Sequence, residues 1–300
     1  MYDLINLKSR KIKQKKYIKI IFFILIILFI IFLIFNNKKT EEKYIDKSNI
    51  FQVASYDFSF QNEAETYIKQ REKIDKISSL EVFSEEQIQK ILNIYNDTGE
   101  KVAFLTFDDG PSNTVTPYIL DILKNENIKA TFFTLGGFVQ ANPDIIKREY
   151  NEGHYIANHG YTHVYTSIYT GMDSIFAEYN NTEKCIQDAL ENPNYHSKLF
   201  RFPGGSFGGK YGKLKEEAKE ELKKQKIAYL DWNALSNDSA GAKTKEELIE
   251  SIKNTVGNKQ TVVILMHDAG TKISTYEALP DIIKYLRENG YSFKNIYDIL

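Results

Sequence analysis

The sequence predicts an α/β fold in which helices cover a sheet of parallel strands, and three observations lead to this prediction. From residue 101 onward, short apolar runs alternate with longer segments of helical periodicity, which is the pattern of repeated βα units. The helical segments begin and end at capping signals. A polar residue suited to catalysis follows nearly every apolar run, as expected where parallel strands end. The pattern leaves open whether the sheet is doubly wound or closed into a barrel.

Seven segments are predicted as strands, at 102–107, 129–135, 154–158, 198–202, 226–231, 261–266 and 291–294. Helices are predicted between them. Pro117 stands in a first helical turn, Pro143 opens the next helix, and Met172–Leu190 has apolar residues at helical spacing. Thr244 opens a further helix with a capping box, and Gly290 ends the last one.

The segment before residue 101 is predicted to contain a membrane anchor. An unbroken apolar run from Ile20 to Phe35, extended by Ile18 and a snorkelling Lys19, just reaches the length that spans a bilayer. Basic residues are concentrated before this run, which places the N-terminus in the cytoplasm and the bulk of the chain outside. A cleaved signal peptide is the alternative, but no small-residue cleavage site follows the run.

These features divide the chain into four parts. We predict a basic cytoplasmic segment at 1–17, a transmembrane helix at 18–35, an extracellular stem at 36–100 and a catalytic domain at 101–300. Two charged amphipathic helices are predicted within 61–97, the second opened by a capping box of Ser84 and Gln87.

Charge and cysteine content exclude several classes of protein. The chain has 39 Lys and Arg residues against 40 Asp and Glu residues, a net charge of −1, which does not resemble a nucleic-acid-binding protein. The single cysteine, Cys185, excludes an intramolecular disulfide and a four-cysteine zinc site.

Two adjacent carboxylates, Asp108 and Asp109, stand at the end of the first apolar run and precede a Gly-Pro turn. Neighbouring carboxylates repel each other. A fold that keeps them together therefore needs a metal, a proton or a substrate to stabilise the pair.

Two histidines supply a partner for this pair. The four-residue spacing of His159 and His163 directs both imidazoles to one side of a helical turn. With Asp109 as the third ligand they form a site that leaves a position for water, as in catalytic zinc sites. Zinc is the expected ion, while Co, Mn, Ni and Fe stay open because this donor set accepts them all. Asp108 is then the expected base toward the water that the cation activates.

Residues at the later strand ends complete the predicted site. Arg201 would be costly to bury without a partner, and we expect it to hold Asp108. His267 is the expected general acid, and Asp231, at what is predicted as the neighbouring strand end, is expected to keep it protonated near neutral pH.

Two further residues are expected to contact substrate. The backbone N–H of Gly204 is predicted to stabilise an oxyanion. Trp232, the only tryptophan, is predicted to form an aromatic wall for a sugar ring.

In this order the motifs resemble the polysaccharide deacetylase family, carbohydrate esterase family 4, over about residues 101–300. The motifs are TFDDG at 106–110, NH-x-x-x-H at 158–163, RFPGG at 201–205, DW at 231–232 and LMH at 265–267. The resemblance implies a distorted (β/α)7 barrel and metal-dependent removal of acetyl groups from N-acetylated sugars.

The resemblance also implies a role for each matching residue. Asp108 is implied as the base, and Asp109, His159 and His163 as the metal ligands. His267 is implied as the acid, with Asp231 tuning it, and Arg201 as the residue that orients the base. Trp232 and Leu265 are implied as walls of the substrate groove. The chain departs from the family pattern at Gly160, where Ser or Thr is usual, and at Gly204, where many members have Tyr.

Together the anchor and the motifs predict a membrane-anchored extracellular deacetylase acting on N-acetylglucosamine residues of peptidoglycan, whose free-amine product would lower lysozyme sensitivity. One alternative keeps the activity but changes the polymer to poly-N-acetylglucosamine, chitin-like chains or acetylated xylan. The other is a non-catalytic wall-binding module built on the same fold.

Overall fold

The computed structural model describes residues 64–96, 99–241 and 243–300. The described residues from Glu65 to Leu300 belong to one compact unit. The anchor predicted at 18–35 lies outside the described residues. Within the described part of the chain, no helix combines the length and apolarity needed to cross a bilayer.

The unit from Glu65 onward contains eight strands and the helices that surround them. The strands are β1 (Val102–Asp108), β2 (Thr131–Thr134), β3 (Tyr155–Asn158), β4 (Leu199–Phe200), β5 (Ala228–Tyr229), β6 (Ala234–Leu235), β7 (Thr261–His267) and β8 (Ser292–Phe293). The helices are α1 (64–78), α2 (Glu85–Leu92), α3 (Thr116–Asn125), α4 (Gly136–Ala141), α5 (Pro143–Asn151), α6 (Tyr165–Ile168), α7 (Met172–Leu190), α8 (Gly212–Lys224), α9 (Lys245–Val256), α10 (Ile273–Glu288) and α11 (Ile296–Ile299).

The strands form one curled sheet in the order β5-β4-β3-β2-β1-β7-β6, and β8 pairs with the start of β1. All of these pairings are parallel, so the predicted parallel α/β class is confirmed. The barrel implied by the family resemblance is observed as a half-barrel, because β5 and β6 lie at opposite ends of the strand order. The sequence did not predict β6, which is only two residues long.

The core lies on both faces of β1, which is buried along its whole length. Val102 and Phe104 pack in one cluster with residues of α1 and α2. Ala103, Leu105 and Phe107 pack in a second cluster with residues of α3, α9 and α10. This alternation follows from the two-residue period of a strand covered on both faces. The helices α1 and α2, predicted as part of a stem, thus share a core with the sheet.

The strand register brings the predicted functional residues to one edge of the sheet. Asp108 pairs with His267 across β1 and β7, and Asn158 pairs with Phe200 across β3 and β4. Consequently Asp108 lies beside His267, and His159 follows at the same edge as Arg201. Parallel strands place their carboxyl ends together, and here those ends carry most of the motif residues.

Candidate active site

The two adjacent carboxylates have different surroundings because the backbone changes conformation between them. Asp108 is the last residue of β1, and Asp109 has a φ of +70° in the left-handed region. Asp108 is buried at 2% exposure, with one carboxylate oxygen 2.7 Å from Nη1 of Arg201. Asp109 instead faces the two histidines. The pair is thus separated into one carboxylate held by an arginine and one held among imidazoles.

Asp109, His159 and His163 form a cluster able to hold a metal ion. One ligand atom from each lies within 4.8 Å of the others. Oδ1 of Asp109 is 3.5 Å from Nε2 of His159 and 3.4 Å from Nε2 of His163. This buried oxygen has no hydrogen-bond partner among the described residues, which is unusual for a buried polar atom unless an ion or water completes it. The donor set and this unpaired oxygen fit a divalent cation.

The imidazole of His159 is oriented by the backbone. Its Nδ1 lies 2.8 Å from the carbonyl oxygen of Arg201, and because a carbonyl only accepts, Nδ1 carries the hydrogen and Nε2 presents a lone pair. Burial lowers the pKa of His159 to about 3. The side chain is therefore neutral, which is the form in which imidazole binds a metal.

The loop that carries the histidines is held by one glutamate. Oε2 of Glu178 on α7 accepts hydrogen bonds from the backbone N–H groups of both Tyr161 and Thr162, at 2.5 and 2.7 Å. Gly160 has a φ of +83°, a conformation that side-chain-bearing residues rarely adopt. A glycine at this position therefore matches the backbone that the loop requires.

Arg201 is fully buried, and its guanidinium donates four hydrogen bonds to described residues. Besides Asp108, it donates to the hydroxyl of Thr106 at 2.8 Å and to the carbonyls of Leu230 and Asp231 at 2.9 and 3.0 Å. Burial raises the pKa of Asp108, and the Arg201 charge and hydrogen bond, together with His267, oppose that rise. The arginine thus fixes the carboxylate while leaving it basic.

His267 pairs with Asp238, a residue that the sequence analysis missed. Nδ1 of His267 is 2.7 Å from Oδ1 of Asp238, and its backbone N–H donates to Oδ2 at 2.8 Å. Burial lowers the pKa of His267, but the hydrogen bond and charge of Asp238, with Asp108 and Asp109, outweigh it and raise the pKa to about 9. Nε2 faces the site, 4.0 Å from Oδ2 of Asp109.

The predicted contact between Asp231 and His267 is therefore wrong. The carboxylate of Asp231 accepts hydrogen bonds from the backbone and hydroxyl of Ser206 instead. The reason is the missed strand β6, which pairs with β7 at Leu235 and Leu265, whereas β5 pairs with β4. The chain leaving β6 runs beside the end of β7. No signal in the sequence marked the pair Ala234-Leu235 as a strand.

We expect Asp238→Asn to lower the pKa of His267, because it removes the negative charge that holds the ring protonated. A general acid is active only when protonated, so the alkaline limb of kcat/KM should move to lower pH. Asp231→Asn, the matched control, should leave this limb in place. The pH profile of the catalytic rate measures both, and a limb that moves only with Asp231→Asn would contradict this assignment.

The remaining predicted residues lie around the same edge. Gly204, with a φ of +75°, is exposed in the loop after β4. Trp232 is partly buried, and its ring lies near Gly205. Leu265 is buried in β7 at 7% exposure. Asp268, next to His267, is also buried, and burial raises its pKa to about 7.

The curled parallel sheet, the Asp/His cluster and the carboxylate–histidine pair at its strand ends define a hydrolase-type α/β protein with a candidate metal site. A sequence profile described as polysaccharide deacetylase matches residues 95–224. A peptidoglycan-N-acetylglucosamine deacetylase of Bacillus cereus is 36% identical over 210 residues, which are 68% of this chain and 72% of that protein. The chain belongs to the polysaccharide deacetylase family, carbohydrate esterase family 4.

Solved structures agree with this assignment. A Streptococcus mutans CE4 esterase matches with a TM-score of 0.62 and 31% identity, covering 71% of this chain and 91% of that one. The catalytic domain of a peptidoglycan N-acetylglucosamine deacetylase from Eubacterium rectale matches with a TM-score of 0.61 and 29% identity, covering 67% and 90%. Family and fold make this chain a deacetylase of the hydrolase class.

Proposed function

We propose that the chain is a metal-dependent N-deacetylase that removes acetyl groups from N-acetylglucosamine residues of peptidoglycan and releases acetate. The observation that carries the chemistry is the register pair of Asp108 and His267 beside the Asp109–His159–His163 cluster. This arrangement places a base and an acid next to one candidate cation site. The names of the similar proteins support the polymer and the sugar.

The cation would be held by Asp109, His159 and His163, and zinc is the ion we propose, with Co, Mn, Ni and Fe as the other metals to test. When bound, such an ion lowers the pKa of a water and polarises a carbonyl group.

The protein groups supply the proton transfers. Asp108 accepts a proton from the attacking water as it adds to the acetamide carbon. Its carboxylate stays in place through the 2.7 Å bond from Arg201. His267 then donates its Nε2 proton to the departing nitrogen as the C–N bond breaks, because its Nδ1 is occupied by Asp238. Acetate and a free amine result.

The loop after β4 is proposed to stabilise the oxyanion through the N–H of Gly204. Its carbonyls are fixed, since Pro203 accepts from the hydroxyl of Tyr169 at 2.7 Å and Gly205 from Nζ of Lys215 at 2.6 Å. Preorganised donors of this kind contribute about 3 kcal/mol to transition-state stabilisation. Trp232 and Leu265 are proposed as walls around the acetylated sugar.

The direct test is acetate release from purified peptidoglycan by the full-length chain, with zinc, cobalt or manganese added after treatment with a chelator. We expect release with metal and at least a tenfold loss after chelation, because the cation supplies the activated water. Defined chitin, poly-N-acetylglucosamine and acetylated xylan oligosaccharides serve as competing substrates. No release from peptidoglycan with any metal would reject this substrate.

The proposed location is the outer face of the cell membrane, with the segment 18–35 as an uncleaved anchor. Its support is the apolar run and the basic residues before it. The free amines produced in the wall would then lower lysozyme sensitivity. Protease treatment of intact cells is expected to degrade the 101–300 region, and its full protection would contradict this location.

A further inference from the structure

Tyr165 lies at the edge of the site and has no role in the chemistry described above. It is the first residue of α6, two residues after His163, and is 40% exposed. Its ring centroid is 5.4 Å from that of His163. Its hydroxyl has no hydrogen-bond partner among the described residues. An aromatic ring with an unused hydroxyl thus stands next to the candidate cation cluster.

The phenol of Tyr165 occupies the space where a side chain on residue 204 would begin. A Cβ placed on Gly204 would lie 2.6 Å from the hydroxyl oxygen of Tyr165 and 3.0 Å from its Cζ. Distances below about 3.0 Å require one of the groups to shift. A Cβ at residue 204 therefore requires the phenol of Tyr165 to shift from its present position.

Aromatic side chains lie next to both glycines of the loop. A Cβ on Gly205 would lie 3.2 Å from Cη2 of Trp232 and 3.5 Å from the ring of Phe207. Phe207 is 58% exposed, and its centroid is 6.1 Å from that of Trp232. Tyr165 lies next to Gly204. Rings of this kind pack on the C–H faces of a sugar, and a phenolic hydroxyl offers a polar handle.

We propose that Tyr165 is a substrate-positioning residue of the groove. Its ring forms the wall opposite Trp232, and its hydroxyl donates a hydrogen bond to the N-acetylated sugar. The inference rests on the proposed function for the identity of the sugar. It goes beyond that function because it assigns a side-chain contact with the sugar to Tyr165 on α6. Gly204 in the loop has no side chain that could make this contact.

The kinetic test compares Tyr165→Phe and Tyr165→Ala with Tyr67→Phe, an exposed tyrosine on α1. The assay uses the full-length chain with chitopentaose as substrate and measures the acetate released. One neutral hydrogen bond corresponds to a factor of about 2 to 10, so Tyr165→Phe should raise KM by about that factor with kcat within about twofold. Tyr165→Ala should raise KM further. If both Tyr165 variants had the same KM as Tyr67→Phe, the proposal would be overturned.

Binding separates this proposal from the proposed function. Each Tyr165 substitution is combined with Asp108→Asn, and chitopentaose is titrated into these proteins by calorimetry. The Kd should rise in the same order as KM, first with Tyr165→Phe and further with Tyr165→Ala. If binding weakens as expected but the wild type releases no acetate, the proposed function fails and the positioning role stands. If acetate is released and Tyr165→Ala binds as the control does, the positioning role fails alone.

A double-mutant cycle tests the shared space without any ligand. Gly204→Ala is expected to lower Tm in the wild type through the contact with Tyr165 and the left-handed φ. In the Tyr165→Ala background only the backbone contribution remains, so the drop in Tm should be smaller. Equal drops in both backgrounds would show that the two residues do not share this space and would overturn the geometric basis of the proposal.

Discussion

Asp108→Asn is expected to reduce acetate release by about 10²- to 10⁴-fold, the range over which a positioned general base contributes. The amide is nearly isosteric with the carboxylate and can still accept from Arg201, but it cannot take a proton from water. The cation cluster consists of other residues, so metal content should be unchanged. Acetate release at saturating metal and elemental analysis of the same sample measure the two properties.

Asp121→Asn is the matched control for this variant. Asp121 is an exposed carboxylate on α3 that pairs with Arg148, and its replacement should leave the rate within about twofold, since surface ion pairs contribute little. If Asp108→Asn kept more than a tenth of the wild-type rate, another group would have to be the base. If it lost its metal, the separation of roles between Asp108 and Asp109 would be wrong.

Arg201→Leu is expected to lower the free energy of unfolding by about 3–5 kcal/mol, the usual loss when one partner of a buried ion pair is removed. Asp108 would stay buried without its cation, and the carbonyls of Leu230 and Asp231 would lose donors. Urea unfolding measures the loss. Arg148→Leu, at a half-exposed arginine with carboxylate partners, should cost about 1 kcal/mol or less.

The pH dependence of this loss has a definite sign. Without Arg201 the folded-state pKa of Asp108 rises further above its unfolded value, so the folded protein binds a proton that the unfolded chain releases. The destabilisation should therefore be smaller at pH 5 than at pH 8. Asp108→Asn in the same background should recover part of the stability, because a neutral amide needs no counter-charge. A loss independent of pH would mean that Asp108 is not the group left unpaired.

Long buried elements could be predicted from the sequence. The strands β1 and β7 are apolar over six or seven residues, and the helix Met172–Leu190 has clear periodicity, so each was placed within about one residue. The short strands β4, β5 and β6 were extended or missed, because two residues carry no periodicity. Their boundaries depend on side chains such as Asn233, whose amide bonds to the backbone of Val263 and Thr261.

The motif residues of the site were predicted because their chemistry and their place after apolar runs are visible in the sequence. Asp238 and Tyr165 were not, since Asp238 lies in the turn after β6 and Tyr165 in a four-residue helix, and the course of both segments depends on tertiary structure. Asp238 reaches His267 only because β6 pairs with β7, and Tyr165 matters only because residue 204 lacks a side chain. Contacts of this kind are set by packing between distant segments, which spacing along the chain does not encode.

Arg201 acts on the two halves of the site through two different parts of the residue. Its guanidinium holds Asp108, while its main-chain carbonyl receives the Nδ1 hydrogen of His159. A substitution at this position changes the first contact and keeps the second, because every amino acid has a main-chain carbonyl. The orientation of the His159 imidazole and the placement of the base are therefore separable by mutation here, and a folded Arg201 variant is expected to lose activity while keeping the geometry of the candidate cation site.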